Sequence, residues 1–358
     1  MARRNLDAAY ITKPVSIAYL TGFHAEPFER LMALAVRPDR ATLIVPAIER
    51  EKAGRHGDVA EIMSWRDGED GYALVRTALE GCAEVGVEKE HLSLQAAETL
   101  IARTAAREMV DVSPELRRLR RIKNQEEIEK LARAGSITDT VAREVIDRLR
   151  SGQTELEISV MIGAAIGDHG GTLSFESLVQ SGANSALPHI RPTSRRLAPG
   201  DFVLLDFGAA FDGYRADTTR MAVVGEPSER HKEIHDLVLA AHDAAVAAVR
   251  AGTTTGSVDA AARQVIDAAG MGDLFFHRVG HGLGLEAHED PSLDPGSATV
   301  LEAGMVFTIE PGIYIPGWGG VRIEDDVVVE RAGCRLLTKA DHSLRVIPVS
   351  AGRAQGAP

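Results

Sequence analysis

The chain has 358 residues and 44% hydrophobic content with few aromatics, which is more than one ordinary domain and enough aliphatic material for well-formed cores. A formal net charge of −12 removes the general electrostatic case for nucleic acid or an anionic membrane surface. Only Cys82 and Cys334 occur, which argues against a disulfide framework and fits a reducing, cytoplasmic setting. The N-terminal stretch MARRNLDAAYITKPVSIAYLTGF is interrupted by Asp7, Lys13 and Pro14, so it lacks the continuous apolar run of a signal peptide. Nothing in the sequence approaches a transmembrane run.

In chain order, Ala8–Ile11 and Ala41–Val45 read as buried strands, and Gly71–Cys82 and Leu94–Arg107 as helices. The mixture predicts a small α/β domain over residues 1–112. Its least regular piece, Tyr19–Arg30 (YLTGFHAEPFER), reads as a loop. Residues 111–123 read as a boundary, with Pro114 suited to the first turn of a helix. The basic cluster of Arg117, Arg118, Arg120, Arg121 and Lys123 is expected to be a solvated or inter-domain face, given the acidic chain around it. Asn124 with Glu127 forms a capping box ahead of Ile128, Leu131, Ile137, Val141 and Val145, and so predicts a long amphipathic helix.

From here the chain repeats itself. Leu149–Ile166 aligns with Val249–Ile266 at an offset of one hundred residues, with Arg150/Arg250, Gly152/Gly252, Thr154/Thr254 and Ile166/Ile266 identical. Each half then carries a candidate hairpin. In the first, Asp212-Gly213 is a two-residue turn signal between apolar runs. That turn sets Asp206 opposite Thr219 and Asp217 opposite Gly208, which makes the two aspartates diagonal neighbours about 7–8 Å apart. In the second, pairing Ile315 with Val321 across a loop at Pro316–Gly320 would set Glu310 diagonal to Glu324. The histidines His231, His235 and His242 have ligand-like helical spacing but no motif, and are expected to be solvated.

Four clustered carboxylates repel one another and take up protons unless cations neutralise them. With His281 they make a hard, oxygen-rich donor set, suited to Mn²⁺ or Co²⁺ and compatible with Zn²⁺. There are donors enough for two divalent ions, an arrangement that serves hydrolysis.

These residues also carry a family resemblance. Asp206, Asp217, His281, Glu310 and Glu324 match, in order and local sequence, the ligands of the pita-bread dinuclear metallopeptidases. SGANSALPH (181–189), LLDFGAAFDGYRADTTR (204–220), GHGLGLEAHEDP (280–291), EPGIYIPGWGG (310–320) and VRIED (321–325) resemble the Xaa-Pro peptidases, prolidase and aminopeptidase P. The resemblance covers residues 115–348 closely and extends more loosely to a creatinase-like domain at the N-terminus. It implies an α+β fold: a creatinase-like domain at 1–112, a pseudo-symmetric pita-bread catalytic domain at 113–350, and a disordered tail at 351–358. It implies further that Asp217 and Glu324 bridge two metals, that Asp206 completes one ion's shell, and that His281 and Glu310 complete the other's. Glu310 would also act as proton shuttle. His189 and His288 match catalytic histidines, His277 a histidine of the proline pocket, and Tyr314 and Arg322 residues that organise the ligands.

The expected reaction is hydrolysis of the bond before proline in Xaa-Pro dipeptides. Aminopeptidase P activity on longer peptides is the alternative, and a non-catalytic peptide-binding module the reading from a different class. The partners expected are small proline-containing peptides and a second copy of the chain. One departure stands out: Ser292 follows the HExP segment where several relatives carry a basic residue, and no Lys or Arg lies between Glu289 and Arg322. A dipeptidase must recognise a free carboxylate, a task for which Arg is suited. Arg30, at the end of the His24–Arg30 loop, is the expected candidate, reaching the pocket of a partner subunit.

Overall fold

The computed structural model describes residues 4–349, so the 351–358 tail lies outside the described residues. The chain divides into two compact units, Met1–Arg120 and Arg121–Pro358. In chain order the first contains β1 Ala8–Ile11, α1 Pro14–Thr21, β2 Ala33–Val36, β3 Ala41–Pro46, α2 Arg50–Gly54, β4 Glu61–Trp65, α3 Gly71–Ala78, β5 Glu84–Val87, α4 Leu94–Arg103 and β6 Glu108–Asp111. These strands form one mixed sheet in the order β4-β3-β2-β1-β5-β6. Alternation along the strands covers both faces. Tyr10 and Ile44 pack with Val75, Leu79 and Leu100 on one side, and Ile11, Leu43 and Val45 pack with Ile17 on the other. Tyr19–Thr21 belong to α1, which Gly22 ends at φ +73°; the irregular stretch is therefore shorter than the sequence implies.

The helix α5 (Ser113–Arg121) leads into the second unit. There α6 (Gln125–Arg148) starts at the expected capping box, with Asn124 and Glu127 each bonding the other's backbone N–H. Next come α7 Glu155–Asp168, β7 Thr172–Leu173, β8 Leu178–Ser181, β9 Phe202–Phe207, β10 Ala209–Phe211, β11 Tyr214–Arg215 and β12 Thr218–Val224. The second half runs α8 Glu229–Ala248, α9 Thr255–Ala268, β13 His281–Gly282, β14 Glu289–Ser292, β15 Val306–Ile309, β16 Gly312–Ile315, β17 Gly319–Arg322, β18 Asp325–Glu330, β19 Gly333–Leu336 and β20 Arg345–Ile347.

The duplication is visible in backbone detail. Thr154 and Thr254 are the N-caps of α7 and α9. The turns before them donate equivalently, Gly152 N–H to Leu197 O and Gly252 N–H to Leu301 O, both at 2.9 Å. Each helix pair covers its own sheet: Val141, Val145, Ile158 and Ile162 pack on Val203 and Leu205, while Ile234, Val238, Val258 and Ile266 pack on Phe307 and Val327.

The first hairpin has the expected register, with Phe211 opposite Tyr214 and Asp206 opposite Thr219. Asp212 and Gly213 both have positive φ, +50° and +83°, the backbone of a type I′ turn. Gly208, opposite Asp217, is tightly enclosed: a Cβ there would lie 1.7 Å from Ala216 O.

The second hairpin differs. Ile315 pairs with Gly319 rather than Val321, across a turn at 316–318. The same register continues into Ile309 opposite Asp325, so Glu310 falls directly opposite Glu324 instead of diagonal to it. Pro316-Gly317 makes the tighter turn: Gly317 has φ +75° and Trp318 N–H donates to Ile315 O at 3.1 Å, as in a type II turn. The Trp318 ring stacks on His231, meets Phe202 edge-on and carries Arg230 over its face.

Two further expectations are corrected. His231, His235 and His242 are buried, not solvated. His231 caps α8 through Ser228, His235 Nε2 donates to His342 O at 2.9 Å, and His242 Nε2 lies 3.1 Å from Asp325 Oδ2. Arg120 and Lys123 of the basic cluster are buried as well. Lys123 Nζ lies 3.6 Å from Glu289 Oε2, both side chains almost wholly enclosed.

Candidate active site

The two hairpins meet at Thr219 and Glu324, which form an antiparallel bridge between the halves. Around it Asp206 and Asp217 come from the first hairpin, and Glu310 and Glu324 from the second. Asp217, His281 and Glu324 each offer a ligand atom within 4.8 Å of the others. His281 Nε2 is 3.2 Å from Glu310 Oε1 and 3.9 Å from Asp217 Oδ2. The His281 ring donates from Nδ1 to Gly282 O at 3.2 Å, which leaves the Nε2 lone pair facing the carboxylates. Glycine 280 permits this placement, since a Cβ there would meet Thr308 O at 1.9 Å.

The electrostatics of the cluster are strained. Burial pushes Asp217 and Glu324 well above the usual carboxylate range, and the neighbouring carboxylates push them further. Burial raises Asp206 too, opposed by Arg322, and drives Glu310 up to about 7. Burial takes His281 down to about 3, helped by His288, so its imidazole is neutral at ordinary pH.

Asp206 Oδ1 and Asp217 Oδ1 are buried with no hydrogen-bond partner among the described residues. Enclosed oxygens without donors, beside a histidine lone pair, are what a divalent cation would satisfy. The residues present therefore fit a carboxylate-rich metal centre. A second group, His242, Asp325 and His342, is occupied differently: Asp325 accepts from Arg220 at 2.6 Å and from Thr338 at 2.9 Å, so the cationic partner is already in place.

Surrounding residues hold the cluster. Thr219 donates to Glu324 Oε2 at 2.6 Å and accepts from Arg322 Nε at 3.0 Å. Thr308 donates to Glu310 at 3.0 Å, and Asp326 accepts the Asp217 N–H at 2.9 Å. The buried Arg322 pairs with Asp206 and donates to Tyr314 Oη at 3.0 Å. The Tyr314 hydroxyl lies 2.9 Å from His277 Nε2, while His277 Nδ1 donates to Arg278 O at 2.7 Å. With Nδ1 as donor, His277 Nε2 must accept from Tyr314, so a directed chain runs from Arg322 through Tyr314 to His277.

A cleft of about 450 Å³ opens over this floor. His189, His277 and His288 line it, and Phe175, Leu178, Pro188 and Ala287 give it an apolar wall. The His288 ring lies 3.9 Å from that of His281, tilted by 45° to it. Every expected site residue of the second unit is thus brought to one place, directly or through one hydrogen bond. Arg30 belongs to the first unit, where its guanidinium bonds Asp67 at 2.9 and 3.0 Å and Glu29 at 3.1 Å. Arg278 was not anticipated. It lines the cleft and donates to Ser292 Oγ at 2.6 Å. A search for a cation downstream of Glu289 misses it because it precedes the GHGLG segment. Thr219 and Asp326 adjoin motif residues and were legible only as their neighbours.

Comparison with known proteins agrees with this geometry. Residues 129–331 match Metallopeptidase family M24, and residues 1–122 match the Creatinase/Prolidase N-terminal domain. An Xaa-Pro dipeptidase of Lactobacillus helveticus is 39% identical over 353 residues, 96% of this chain and 96% of its own. The structure of an Xaa-Pro dipeptidase from Bacillus anthracis superposes with a TM-score of 0.91 at 35% identity, covering 97% of this chain and 96% of that one. An X-Pro aminopeptidase from Thermotoga maritima gives 0.88 at 31% identity, over 96% and 98%. The fold is the creatinase-type domain followed by the pita-bread catalytic domain, and the chain is an enzyme, a member of metallopeptidase family M24.

Proposed function

We propose that the protein hydrolyses Xaa-Pro dipeptides, cleaving the bond before proline. The observation that carries the reading is the single cleft in which Asp206, Asp217, His281, Glu310 and Glu324 lie beneath His189, His277 and His288. Identity of 39% and 35% with proteins named dipeptidases, against 31% with an aminopeptidase, favours the dipeptide over longer substrates.

Asp206, Asp217, His281, Glu310 and Glu324 would together hold two divalent ions. When bound, the ions supply charge neutralisation and Lewis-acid chemistry. Manganese or cobalt suits the oxygen-rich set. The remaining work belongs to the chain. Glu310, whose Oε1 lies 3.2 Å from His281 Nε2 at the cleft floor, would shuttle the proton to the departing proline nitrogen. His189 and His288 offer imidazoles to the substrate carbonyls from the cleft wall. Arg322 and Tyr314 hold His277 in one tautomer at the proline side, and the apolar wall accepts the pyrrolidine ring.

For the free carboxylate of the dipeptide we assign Arg278, which lines the cleft, ahead of Arg30, whose guanidinium is held by Asp67 and Glu29. The proposal extends, by kinship alone, to a homodimer working in the cytoplasm; sedimentation of the purified protein tests the dimer. Assays of Ala-Pro, Ala-Pro-Ala and a longer Xaa-Pro peptide with Mn²⁺, Co²⁺ and Zn²⁺ in turn test the activity. Cleavage of Ala-Pro alone is the expected result, and preference for the longer peptides would transfer the reading to an aminopeptidase. Arg278→Ala should reduce the dipeptide preference, and Arg30→Ala should not.

A further inference from the structure

The imidazole of His189 faces the cleft from an exposed position, and among the described residues no hydrogen bond holds its ring. Its placement therefore depends on the backbone on either side. That backbone is fixed by one buried side chain. Gln180 Nε2 donates to Pro188 O at 3.0 Å and to Ile190 O at 3.1 Å, the carbonyls flanking His189. A primary amide has two N–H donors, and both are used.

Gln180 is completely enclosed, and its Oε1 is buried with no hydrogen-bond partner among the described residues. The amide cannot be reversed, because that would set its oxygen against two carbonyl oxygens. Gln180 also sits on β8, paired with Leu204, while Leu178 of the same strand pairs with Asp206. One strand thus ties the carboxylate floor to the histidine loop. The ends of that loop are anchored separately: Glu155 accepts from the Ser181 and Asn184 side chains on one side and from Thr193 on the other.

We infer that Gln180 is the positioning residue for His189, holding the peptide groups on both sides of it. The inference rests on the role given to His189 in the proposed reaction. A misplacement of about 1 Å costs on the order of 100-fold in rate, so loss of this clamp should be visible in kcat.

The test is a double-mutant cycle on Ala-Pro hydrolysis by the Mn²⁺-loaded protein. Gln180→Met keeps length and volume but removes both donors. It should lower kcat by about 10- to 100-fold with KM changed less than about threefold, while metal stoichiometry and circular dichroism stay as in the parent. In a His189→Ala background, Gln180→Met should have almost no further effect. If the two losses multiply instead, Gln180 acts elsewhere and the inference falls. Wild-type kcat for Gln180→Met beside an impaired His189→Ala also overturns it. Wild-type kcat for His189→Ala overturns the role of the histidine itself. Should Gln180→Met fail to fold, Gln180→Asn, one methylene too short to reach both carbonyls, replaces it in the same cycle with the same outcomes.

Discussion

The Thr219 hydroxyl donates to Glu324 Oε2 at 2.6 Å, joining the two halves of the duplicated unit at their carboxylates. The same oxygen accepts from Arg322, so one small side chain orients both a ligating carboxylate and the arginine that pairs with Asp206. Thr219→Val preserves shape and strand propensity while removing both bonds. Affinity for Mn²⁺ should fall about 10- to 100-fold, the usual cost of losing an orienting partner. Calorimetric titration of the metal-free variant measures it, and an unchanged affinity would deny Thr219 this role.

Metal binding should depend steeply on pH. In the metal-free protein Glu310 holds its proton up to about 7, and Asp217 and Glu324 hold theirs well above the usual range, all chiefly through burial. As pH rises from about 4.5 to 7, the unfolded chain loses these protons before the folded one does, so the metal-free protein loses stability across that window. A bound cation keeps the groups ionised and reverses the trend. The rise in melting temperature on adding Mn²⁺ should therefore be larger at pH 7.5 than at pH 5.5. Apparent affinity should change about tenfold per pH unit for each proton displaced. A stabilisation independent of pH would contradict these shifts.

Tyr314→Phe interrupts the chain from Arg322 to His277 without emptying space. It should leave metal content unchanged and lower kcat/KM on Ala-Pro about tenfold, since His277 loses the partner that fixes it. Metal analysis and steady-state kinetics on the same preparation separate this from loss of the metal centre.

Lys123 and Glu289 form an enclosed ion pair, and breaking such a pair from one side costs about 3–5 kcal/mol. Lys123→Met should lower the melting temperature by roughly 10 °C, on the order of 2–4 °C per kcal/mol for a unit of this size. Adding Glu289→Gln should restore part of the loss, because the uncompensated charge is then gone. Calorimetry of the two variants decides it.

The sequence by itself determined the elements whose cause is local. Asn124 and Glu127 cap a helix because each side chain bonds the other's backbone N–H within the first turn. Asp212-Gly213 sets the register of the first hairpin because that dipeptide readily adopts the two positive φ angles of the turn. With the register set, Asp206 and Asp217 had to share a face.

The second hairpin carries a local code as well, the Pro316-Gly317 turn with Gly317 at φ +75°, and pairing Ile315 with Val321 overlooks it. Other features were decided by tertiary packing, such as the seat of Trp318 on Phe202 and His231, residues far away in sequence. The burial of His231, His235 and His242 and of Lys123 was decided the same way, because helical spacing says which side chains share a face and not what covers that face. Nor could the sequence show that one glutamine would span both sides of His189, or that Thr219 would serve both halves of the site. The Thr219 contacts join segments brought together only when the duplicated sheets meet, and the Gln180 contacts form only once the His189 loop folds back on β8; hydrogen bonds near 3 Å depend on that tertiary placement rather than on any local preference.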